Sequence, residues 1–321
     1  MPEALPSANA DLRILGADVA KLTIALHDSV SGRGWSIANT PQALAEALRA
    51  YADYDWLICE TTGGYERRLL EATTALGLRA CRADAAQVKA FIVSHGGRAK
   101  TDRIDAAWLS RYGQDRARTL KPWRAPAPEQ EAFSELLRHR QALLAQRVQA
   151  RNRRSAPGGQ ALADLLDEQI AFLTGQVSRI DAQMAELLKA CPDLARDEQT
   201  LRAIPGIGPV AARTLLALLP ELGALGSKQA ASLAGLAPHP HESGQTSRPK
   251  RMIGGRPGIR PVLFMAALSA ARTHPALASV YTRLVSAGKP KRLALAAIAR
   301  KLLVIANAVI RDDRASRLQL T

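Results

Sequence analysis

The stretch Lys100-Thr101-Asp102-Arg103-Ile104-Asp105-Ala106 carries two carboxylates three residues apart. The surrounding pattern predicts a helix, on which Asp102 and Asp105 point to the same side. Two more acids, Asp18 and Glu60, each come at the end of an apolar run that is typical of a buried strand. Two acids on strands and two on one helix face form a set that can hold divalent cations at a phosphodiester. The pattern therefore predicts nucleic-acid chemistry.

Each of these acids, taken singly, has an ordinary structural explanation. Acids in the first turn of a helix are favoured by the helix dipole, so Asp102 and Asp105 fit there without a metal. Asp18 is equally suited to capping a turn, and Glu60 to pairing with a surface arginine. The combination is more specific, because an Asp on a strand, a Glu at a strand end and a helical Asp pair follow the order of RNase H-like nucleases.

Composition and charge favour a folded protein with a polyanionic partner. The 321 residues are 47% hydrophobic and 23% charged, which predicts a packed core and two or three domains. Aromatic residues make up only 4%, which argues against a sheet that stacks the bases of single-stranded RNA. The net charge of +15 favours binding to a polyanion that weakens as salt rises. The alternative is a basic surface that binds nothing.

The cysteine pattern and the chain start indicate a reducing compartment. Cys59, Cys81 and Cys191 are far apart and lack zinc-ligand spacing, so neither a disulfide framework nor a structural zinc site is expected. The pair His239 and His241 has too few neighbouring ligands for a metal site. No secretory signal is visible, and no apolar run approaches the ~18 residues of a membrane span. A cytoplasmic, nucleoid-associated protein without a membrane partner is expected.

Residues 11–120 alternate short apolar runs with helical patterns, which predicts an α/β domain. The expected strands are 12–26 (one strand, or two with a bend), 56–59 and 78–81, and the expected helices are 65–76, 84–94 and 101–112. Gly77 stands where a helix C-cap would. Several prolines between residues 122 and 128 mark a linker that follows this domain.

The next region, residues 126–195, is predicted to be helical and to include a coiled coil. Its apolar residues recur in steps of 4 and 3, at Leu166, Ile170, Leu173, Val177, Ile180, Met184 and Leu187. A break at residues 155–159 allows a hairpin with the preceding helix, residues 129–154. An intramolecular hairpin and an intermolecular coiled coil both satisfy this pattern, and dimerisation is a hypothesis.

Residues 196–321 are predicted to form a mainly α-helical domain that opens with a helix-hairpin-helix. The turn Ile204-Pro205-Gly206-Ile207-Gly208 lies between two predicted helices. Glycines in such a turn let backbone N–H groups approach a phosphate, helped by the N-terminus of the next helix. Gly206 and Gly208 are therefore candidate DNA contacts without base specificity. The alternative is a tight turn that serves packing only.

Ser243 is a candidate nucleophile in a predicted polar loop. A serine beside a glycine is usually only a turn residue. Here basic residues follow, including Lys250 and Arg251, and a flexible glycine-rich segment then carries Arg256. A serine hydroxyl that attacks DNA needs the charge of its transition state neutralised by such groups. Lys250, Arg251 and Arg256 are accordingly candidate DNA-binding residues.

Motifs in a characteristic order run through residues 11–310. In the first domain they are Gly16-Ala17-Asp18-Val19-Ala20-Lys21, Glu60-Thr61-Thr62-Gly63-Gly64-Tyr65 and the stretch from Lys100 to Ala106. In the C-terminal half they are Ile204-Pro205-Gly206-Ile207-Gly208, Ser243-Gly244, Ile253-Gly254-Gly255-Arg256, Met265-Ala266-Ala267-Leu268, Gly288-Lys289-Pro290-Lys291 and Arg300-Lys301-Leu302-Leu303. With these motifs the chain resembles the IS110 family of transposases, in the branch with a RuvC-like N-terminal domain.

This resemblance implies a transposase that moves its own element by recombination. By motif match, Asp18, Glu60, Asp102 and Asp105 would hold Mg²⁺ or Mn²⁺, and Ser243 would form a covalent DNA intermediate. A structured non-coding guide RNA from the element would pair with donor and target DNA while the protein grips the backbones. A homo-oligomer, either a dimer or a tetramer, would align the two DNA partners.

The predicted architecture has three parts: an RNase H-like (RuvC-like) α/β domain over 1–125, a helical coiled-coil region over 126–195, and a mainly α-helical domain over 196–321. Three other functions stay open beside transposition. A DNA invertase of the same family would use the same residues. A Holliday-junction nuclease would use the four acids alone. A DNA-bridging protein would use the helix-hairpin-helix and the coiled coil, with a degenerate RuvC-like domain.

Overall fold

The structure is a computed structural model that describes residues 12–97, 101–243 and 246–319. It divides into two compact units, residues 1–125 and 126–321, each with its own hydrophobic packing. In the described part of the first unit, the strands are β1 (Ile14–Val19), β2 (Thr23–Asp28), β3 (Gly34–Ala38), β4 (Trp56–Glu60) and β5 (Ala80–Ala83). Its helices are α1 (Pro41–Arg49), α2 (Arg67–Ala75), α3 (Ala85–Ser94) and α4 (Asp102–Arg116).

The strands of the first unit form one mixed sheet in the order β3-β2-β1-β4-β5. The strands β1, β2 and β3 are antiparallel neighbours, whereas β1, β4 and β5 run parallel. The predicted strand over 12–26 is thus the two strands of a hairpin. The sequence pattern missed β3, because an edge strand with half-exposed residues shows no apolar run. This mixed sheet with its helices fits the predicted RNase H-like α/β domain.

Helices cover both faces of this sheet. On one face, Leu15 and Ala17 of β1 pack with buried leucines of α1 and α2. On the other face, Ile14 and Ile58 pack with apolar residues of α3 and α4. Side chains alternate between the two faces along a strand. Asp18 therefore shares the face of Ile14, which is the face covered by α3 and α4.

Local sequence signals set the helix ends in this unit. The Thr101 hydroxyl accepts a hydrogen bond from Ile104 N–H at 3.3 Å and caps the start of α4. Asp84 caps α3 by accepting from Gln87 N–H at 3.0 Å. Gly77 has a φ of 71° directly after α2, which is the left-handed conformation of a glycine C-cap. The helices predicted over 65–76, 84–94 and 101–112 are therefore present with small shifts of their ends.

In the described part of the second unit, the helices are α5 (Pro128–Ser155), α6 (Ala163–Ala190), α7 (Pro192–Arg202), α8 (Pro209–Leu218), α9 (Ser227–Leu233), α10 (Ile259–Thr273), α11 (Pro275–Ser286) and α12 (Lys291–Leu318). Its strands are β6 (Pro238–Ser243) and β7 (Thr246–Met252), which form an antiparallel hairpin.

Helices α5 and α6 form an antiparallel hairpin within the chain. The cross-helix hydrogen bonds run from Arg140 to Asp181 at 2.7 and 3.1 Å, from Arg147 to Thr174 at 3.4 Å and from Arg154 to Asp167 at 3.1 Å. Each step of seven residues along α5 is matched by a step of seven back along α6. Of the two arrangements that the heptad spacing allowed, this unit adopts the intramolecular hairpin.

The base of this hairpin packs into the same core as the C-terminal helices. Phe133 and Leu137 of α5 share one buried cluster with Leu215 of α8, Leu263 of α10 and Leu302 of α12. The hairpin and the C-terminal helices therefore belong to one compact unit. The predicted division of this unit into a helical region and a C-terminal domain at residues 195 and 196 stays a prediction about function, since residues 126–321 pack as one compact unit.

Residues 238–243 and 246–252 form the paired strands β6 and β7, where the sequence analysis expected a polar loop. A two-stranded hairpin outside a larger sheet has no face that must be buried. Its sequence therefore lacks the apolar alternation from which a strand is recognised. Gly244 and Gln245, between the two strands in sequence, lie outside the described residues.

Helix α12 corrects the expectation that no segment is long and apolar enough to span a membrane. By length and composition alone, residues 291–317 pass that test. Within this helix, however, Ile298, Leu302, Leu303 and Ala306 are fully buried in the core of the second unit. The central helix of a packed domain is as apolar as a membrane span, so the two are not distinguished by composition.

Candidate active site

Asp18 and Glu60 take neighbouring positions on two parallel strands. The register of β1 and β4 pairs Ala17 with Cys59, and Asp18 and Glu60 are the next residues along each strand. Since Ile58 faces α3 and α4, Glu60 two residues later faces the same way. Both acids are partly buried at the carboxyl ends of their strands.

Helix α4 crosses β1 at backbone contact. A Cβ added to Gly16 would lie 2.1 Å from the carbonyl oxygen of Ala106 and 2.5 Å from the nitrogen of Ser110. Later in the helix, a Cβ added to Gly113 would lie 2.8 Å from Cγ2 of Ile14. As the residue number rises along α4, its contacts move back along β1. The helix is therefore antiparallel to the strand.

This direction brings the first turn of α4 to the Asp18 end of β1. The step from residue 14 to residue 16 covers about 6.6 Å of strand, which corresponds to about four or five residues of helix. A further step of the same length reaches Asp18 on the strand and residues 102–105 on the helix. The four predicted acids thus come to the same end of the sheet, on the face covered by α4.

Their carboxylates are not gathered at one point. Among the described residues, no group of three or more Asp, Glu, His or Cys side chains is arranged to hold a metal ion. Asp18, Glu60 and Asp105 each take part in an interaction, and Asp102 is exposed at the start of the helix. The fold thus directs four carboxylate side chains, oxygen donors of the kind that Mg²⁺ prefers, toward one end of the sheet, three of them partly buried and Asp102 exposed.

A buried acid that the sequence analysis missed holds the loop after Glu60. Glu66 is 2% exposed and accepts hydrogen bonds from the Thr62 hydroxyl at 2.9 Å and from Gly64 N–H at 2.9 Å. Burial raises the pKa of Glu66, but backbone and hydroxyl donors outweigh burial and leave that pKa below its ordinary value. Arg82 lies 3.6 Å away. The charged carboxylate therefore fixes the loop beside Glu60. An acid two residues after the Gly63-Gly64 pair was the available signal.

Ser243 is the last residue of β6 and belongs to the second unit, whereas the four acids belong to the first. Its register partner on β7 is Thr246. Arg251 pairs instead with His239, four residues from Ser243 along β6, or about 13 Å at the rise of a strand. The β6-β7 hairpin therefore carries both the predicted nucleophile Ser243 and the predicted DNA-binding residues Lys250 and Arg251. Arg251 is, however, not the direct neighbour of Ser243.

Arg256 anchors the segment in which it lies. Its guanidinium donates to both carboxylate oxygens of Glu221 at 2.8 and 2.6 Å and to the carbonyl oxygen of Leu218 at 2.7 Å. A Cβ on Gly255 would lie 2.2 Å from the nitrogen of Gly235, so this segment also packs backbone against backbone. The expectation of a flexible loop at this point was wrong. The predicted phosphate contact of Arg256 would have to compete with Glu221.

The two glycines of the predicted helix-hairpin-helix differ in their surroundings. Gly206 has a φ of 98°, and a Cβ there would lie 2.5 Å from Cβ of Ala270 on α10. Its small size is therefore required by packing. Gly208 directly precedes α8 and has open space around it. Both line a groove of about 420 Å³ with Val210 and Met265, whose side chains are exposed.

The sheet order, the four acids at one of its ends and the basic chain define a class of enzymes that cut phosphodiesters of nucleic acids. A family model described as Transposase IS116/IS110/IS902 family matches residues 198–282, and a DEDD-type IS110 transposase model matches residues 16–156. The chain belongs to the IS110 family of transposases and is a DNA recombinase or transposase.

Curated relatives agree with this assignment. The pilin gene-inverting proteins of Moraxella lacunata and Moraxella bovis are 31% and 32% identical over 262 and 265 residues, which cover 80% of this chain and 80% of each relative. A putative transposase of Sinorhizobium fredii is 28% identical over 216 residues, covering 53% of this chain and 54% of the relative. RuvC of T. thermophilus in complex with Holliday junction substrate is 14% identical with a TM-score of 0.29, over 35% of this chain and 99% of that chain.

Proposed function

We propose that this protein is an RNA-guided DNA transposase that cuts and rejoins strands through a covalent bond to Ser243. The proposal is supported by the register of β1 and β4, which end side by side at Asp18 and Glu60, and by the antiparallel course of α4 along β1, which directs its first turn with Asp102 and Asp105 toward that end of the sheet. This arrangement suits phosphodiester chemistry better than any structural role shared by all four. The motif match of Ser243 and the basic second unit add the nucleophile and the means to hold DNA.

The donor set of the first unit fits Mg²⁺ or Mn²⁺. Four carboxylates are hard oxygen ligands, and mutual repulsion keeps them apart until a cation neutralises them. Rotation of partly exposed side chains is enough to turn them to a common point, because their backbones already lie together. When bound there, divalent cations neutralise charge on the oxygens of a phosphate under attack.

The covalent step that we assign to Ser243 exchanges one phosphate ester for another. The Ser243 oxygen attacks phosphorus and loses its proton, and the bond from phosphorus to one deoxyribose oxygen breaks. That oxygen takes up a proton and leaves as a hydroxyl. Rejoining reverses the roles, since a deoxyribose hydroxyl of the partner strand attacks and the serine leaves. Because each step replaces one phosphodiester bond by another, the number of these bonds is conserved and strand exchange needs no further energy source.

Guidance by RNA would place sequence recognition in base pairing rather than in protein side chains. A structured non-coding RNA from the element would pair with donor and target DNA, and the protein would bind backbones. The basic chain and the small number of aromatic residues suit that division. A dimer or tetramer would bring the two DNA partners together.

A covalent-adduct assay tests the serine and the acids together. The full chain would be expressed with the flanking non-coding DNA of its element, then mixed with cognate DNA and Mg²⁺ and run on denaturing gels. We expect an adduct from wild type and none from Ser243→Ala or Asp102→Asn. Matched controls are Ser247→Ala on the same hairpin and Asp115→Asn in the last turn of α4, which should both keep the adduct.

The result that overturns the serine assignment is cleavage without an adduct that Ser243→Ala leaves unchanged. That result would favour a Holliday-junction nuclease using the acids alone. Removal of the RNA with ribonuclease should abolish adduct formation at cognate sites. Adduct formation that survives this treatment would exclude guidance by RNA.

DNA inversion is the second candidate, and the Moraxella relatives favour it because their names state that they invert a pilin gene. The same residues would serve both reactions. Plasmids that carry two inverted sites, compared with separate donor and target plasmids, distinguish the two. Inversion on the first substrate without transfer between the second pair would identify an invertase.

A further inference from the structure

Three of the contacts between helix α4 and the sheet of the first unit lie near the first half of the helix. The backbone contact at Gly16 sets how close the helix comes to β1. On β3, Arg103 lies over Gly34, where an added Cβ would be 3.1 Å from the Arg103 Nε. The third contact is a hydrogen bond from β2, made by His27. A glycine contact sets the distance, the buried side chains of α4 set which side of the helix faces the sheet, and a directional hydrogen bond adds a further constraint on its rotation.

His27 supplies that directional bond. It pairs with Gly16 in the register of β1 and β2, and its Nδ1 lies 2.7 Å from Oγ of Ser110. The Ser110 hydroxyl donates to the carbonyl oxygen of Ala107 at 2.9 Å. Its proton is thereby used, so the hydroxyl accepts from a proton on Nδ1 of His27. Ser110 is 2% exposed, and water does not replace a bond at that depth easily.

The charge state of His27 agrees with this role. Burial lowers its pKa, the Asp28 carboxylate opposes that effect, and the Arg103 guanidinium lowers the pKa further. The imidazole is therefore neutral at neutral pH, with its one proton on the nitrogen that faces Ser110.

The rotation of α4 matters because its first turn carries two of the acids. A helix turns by 100° per residue, so a slip of one residue along β1 would point Asp102 and Asp105 away from Asp18. Ser110 is five residues, or about 7.5 Å, from Asp105 on the same rigid helix. A bond that fixes Ser110 thus fixes the backbone positions from which both carboxylates project.

We propose that His27 is a positioning residue, which through its Nδ1–H bond to Ser110 orients the first turn of α4 so that Asp102 and Asp105 can share a divalent cation with Asp18 and Glu60. This inference rests on the metal site of the proposed function and goes beyond it, because His27 is not a ligand. Loss of a group that hydrogen-bonds a metal ligand directly typically weakens metal binding by about 10- to 100-fold, and since His27 acts through Ser110, we expect an effect at the lower end of that range.

A matched pair of substitutions tests the bond itself. The amide N–H₂ of an asparagine side chain takes roughly the place of Nδ1, and that of a glutamine side chain roughly the place of Nε2. Mn²⁺ binding to the full chain would be titrated by electron paramagnetic resonance. We expect His27→Asn to bind within about 2-fold of wild type and His27→Gln and His27→Ala to bind about 10-fold more weakly. His139→Ala, at an exposed position of α5, is the control.

Ser110→Ala removes the same bond from the other side, which keeps the test decisive if a His27 variant fails to fold. It should weaken Mn²⁺ binding as His27→Ala does, and the double variant should lose no more than either. Tryptophan fluorescence checks folding, since Trp35, Trp56, Trp108 and Trp123 are the four tryptophans of the chain and all belong to the first unit.

Two outcomes separate this inference from the proposed function. Wild type that binds no more Mn²⁺ than Asp18→Asn would overturn the metal site and the positioning role with it. Normal wild-type binding that folded His27→Ala and Ser110→Ala both keep would overturn the positioning role alone. Equal weakening by His27→Asn and His27→Gln would also overturn it, because the Nδ1–H bond would then not be the cause.

Discussion

The backbone of Gly16, two residues before Asp18 on β1, contacts helix α4. The small size of this residue therefore governs how near the acids of the helix come to those of the sheet. A methyl group there would meet the Ala106 carbonyl oxygen at 2.1 Å, and a backbone oxygen of a helix cannot rotate aside. The glycine is required here by a close approach and not by its φ.

Gly16→Ala is expected to destabilise the first unit by roughly 1–3 kcal/mol, since the helix must move away from the strand. Urea unfolding followed by tryptophan fluorescence measures this, because every tryptophan lies in that unit. Gly175→Ala is the control, in the middle of α6 with open space around it. It should leave the tryptophan transition unchanged. Equal stability of Gly16→Ala and wild type would show that α4 is held elsewhere.

At the level of single residues, spacing and residue type were enough to predict Asp18, Glu60, Asp102 and Asp105 as one set. Their common face follows from the periods of strand and helix. His27 was not found, because its partner Ser110 belongs to a chain segment that only the fold brings near. Glu66 was missed although its partners Thr62 and Gly64 lie within four residues of it. A lone histidine in a strand gives no sign that the hydroxyl of a serine 83 residues later will accept a hydrogen bond from it.

The helical hairpin shows how an element can be predicted while its partner is not. Heptad spacing identified the apolar side of α6, but it could not say which helix would cover that side. The ion pairs from Arg140 to Asp181 and from Arg154 to Asp167 show that α5 does so. The short connection between the helices favours this, because closing a short loop costs little entropy.

Reversal of the Arg140–Asp181 pair tests the register of this hairpin. Arg140→Asp should destabilise the second unit by roughly 1–2 kcal/mol, since a partly buried carboxylate would face Asp181. The double variant Arg140→Asp with Asp181→Arg should recover most of the loss. Unfolding is followed by circular dichroism at 222 nm. Lys189→Glu, at the exposed Glu186 pair, should change stability by less than ~0.5 kcal/mol.

The two turn glycines of the predicted helix-hairpin-helix give a paired prediction. Gly206→Ala should destabilise the second unit by roughly 1–3 kcal/mol, because its φ is positive and its Cβ would meet Ala270. Gly208→Ala should fold like wild type, since nothing lies near it. Gly208→Ala with normal stability but weaker DNA binding would support a phosphate contact at this turn. Normal binding by that variant would leave the turn with a packing role.

On the scale of the whole molecule, charge is the dominant property. The net charge of +15 opposes compaction and is tolerated because both units bury large apolar clusters. Several arginines of the second unit are nevertheless taken up internally, as in the pairs of Arg314 and Arg317 with the buried Asp197. Each such pair engages an acid together with an arginine, so the net charge available to a nucleic acid stays close to the sequence total, but these arginines are engaged within the unit.

DNA affinity should fall steeply as salt rises. If six or more phosphates are contacted, the affinity should fall by about 1,000-fold or more between 50 and 200 mM salt. Arg251→Ala should reduce the slope of log affinity against log salt by about 1. Arg256→Ala is the contrast, because its guanidinium is engaged by Glu221 and its loss should lower stability without changing the slope. A shallow slope in wild type would contradict backbone binding.

The sequence by itself determined the α/β character of the first unit and the helical character of most of the second, and it predicts the four acids as one set. These properties depend on local periodicity and on residue type, which the chain shows directly. The edge strand β3 and the paired strands β6 and β7 were not predicted from the sequence, because half-exposed or polar strands show no apolar pattern.

Only the tertiary structure decided that α4 runs antiparallel to β1 at backbone contact, that His27 holds Ser110, and that Arg256 is paired with Glu221. Each of these depends on residues far apart in the chain, whose approach is fixed by packing of whole elements and not by any local preference. The chemistry of the acids was therefore readable from their types, whereas their orientation was set by the contacts beneath them.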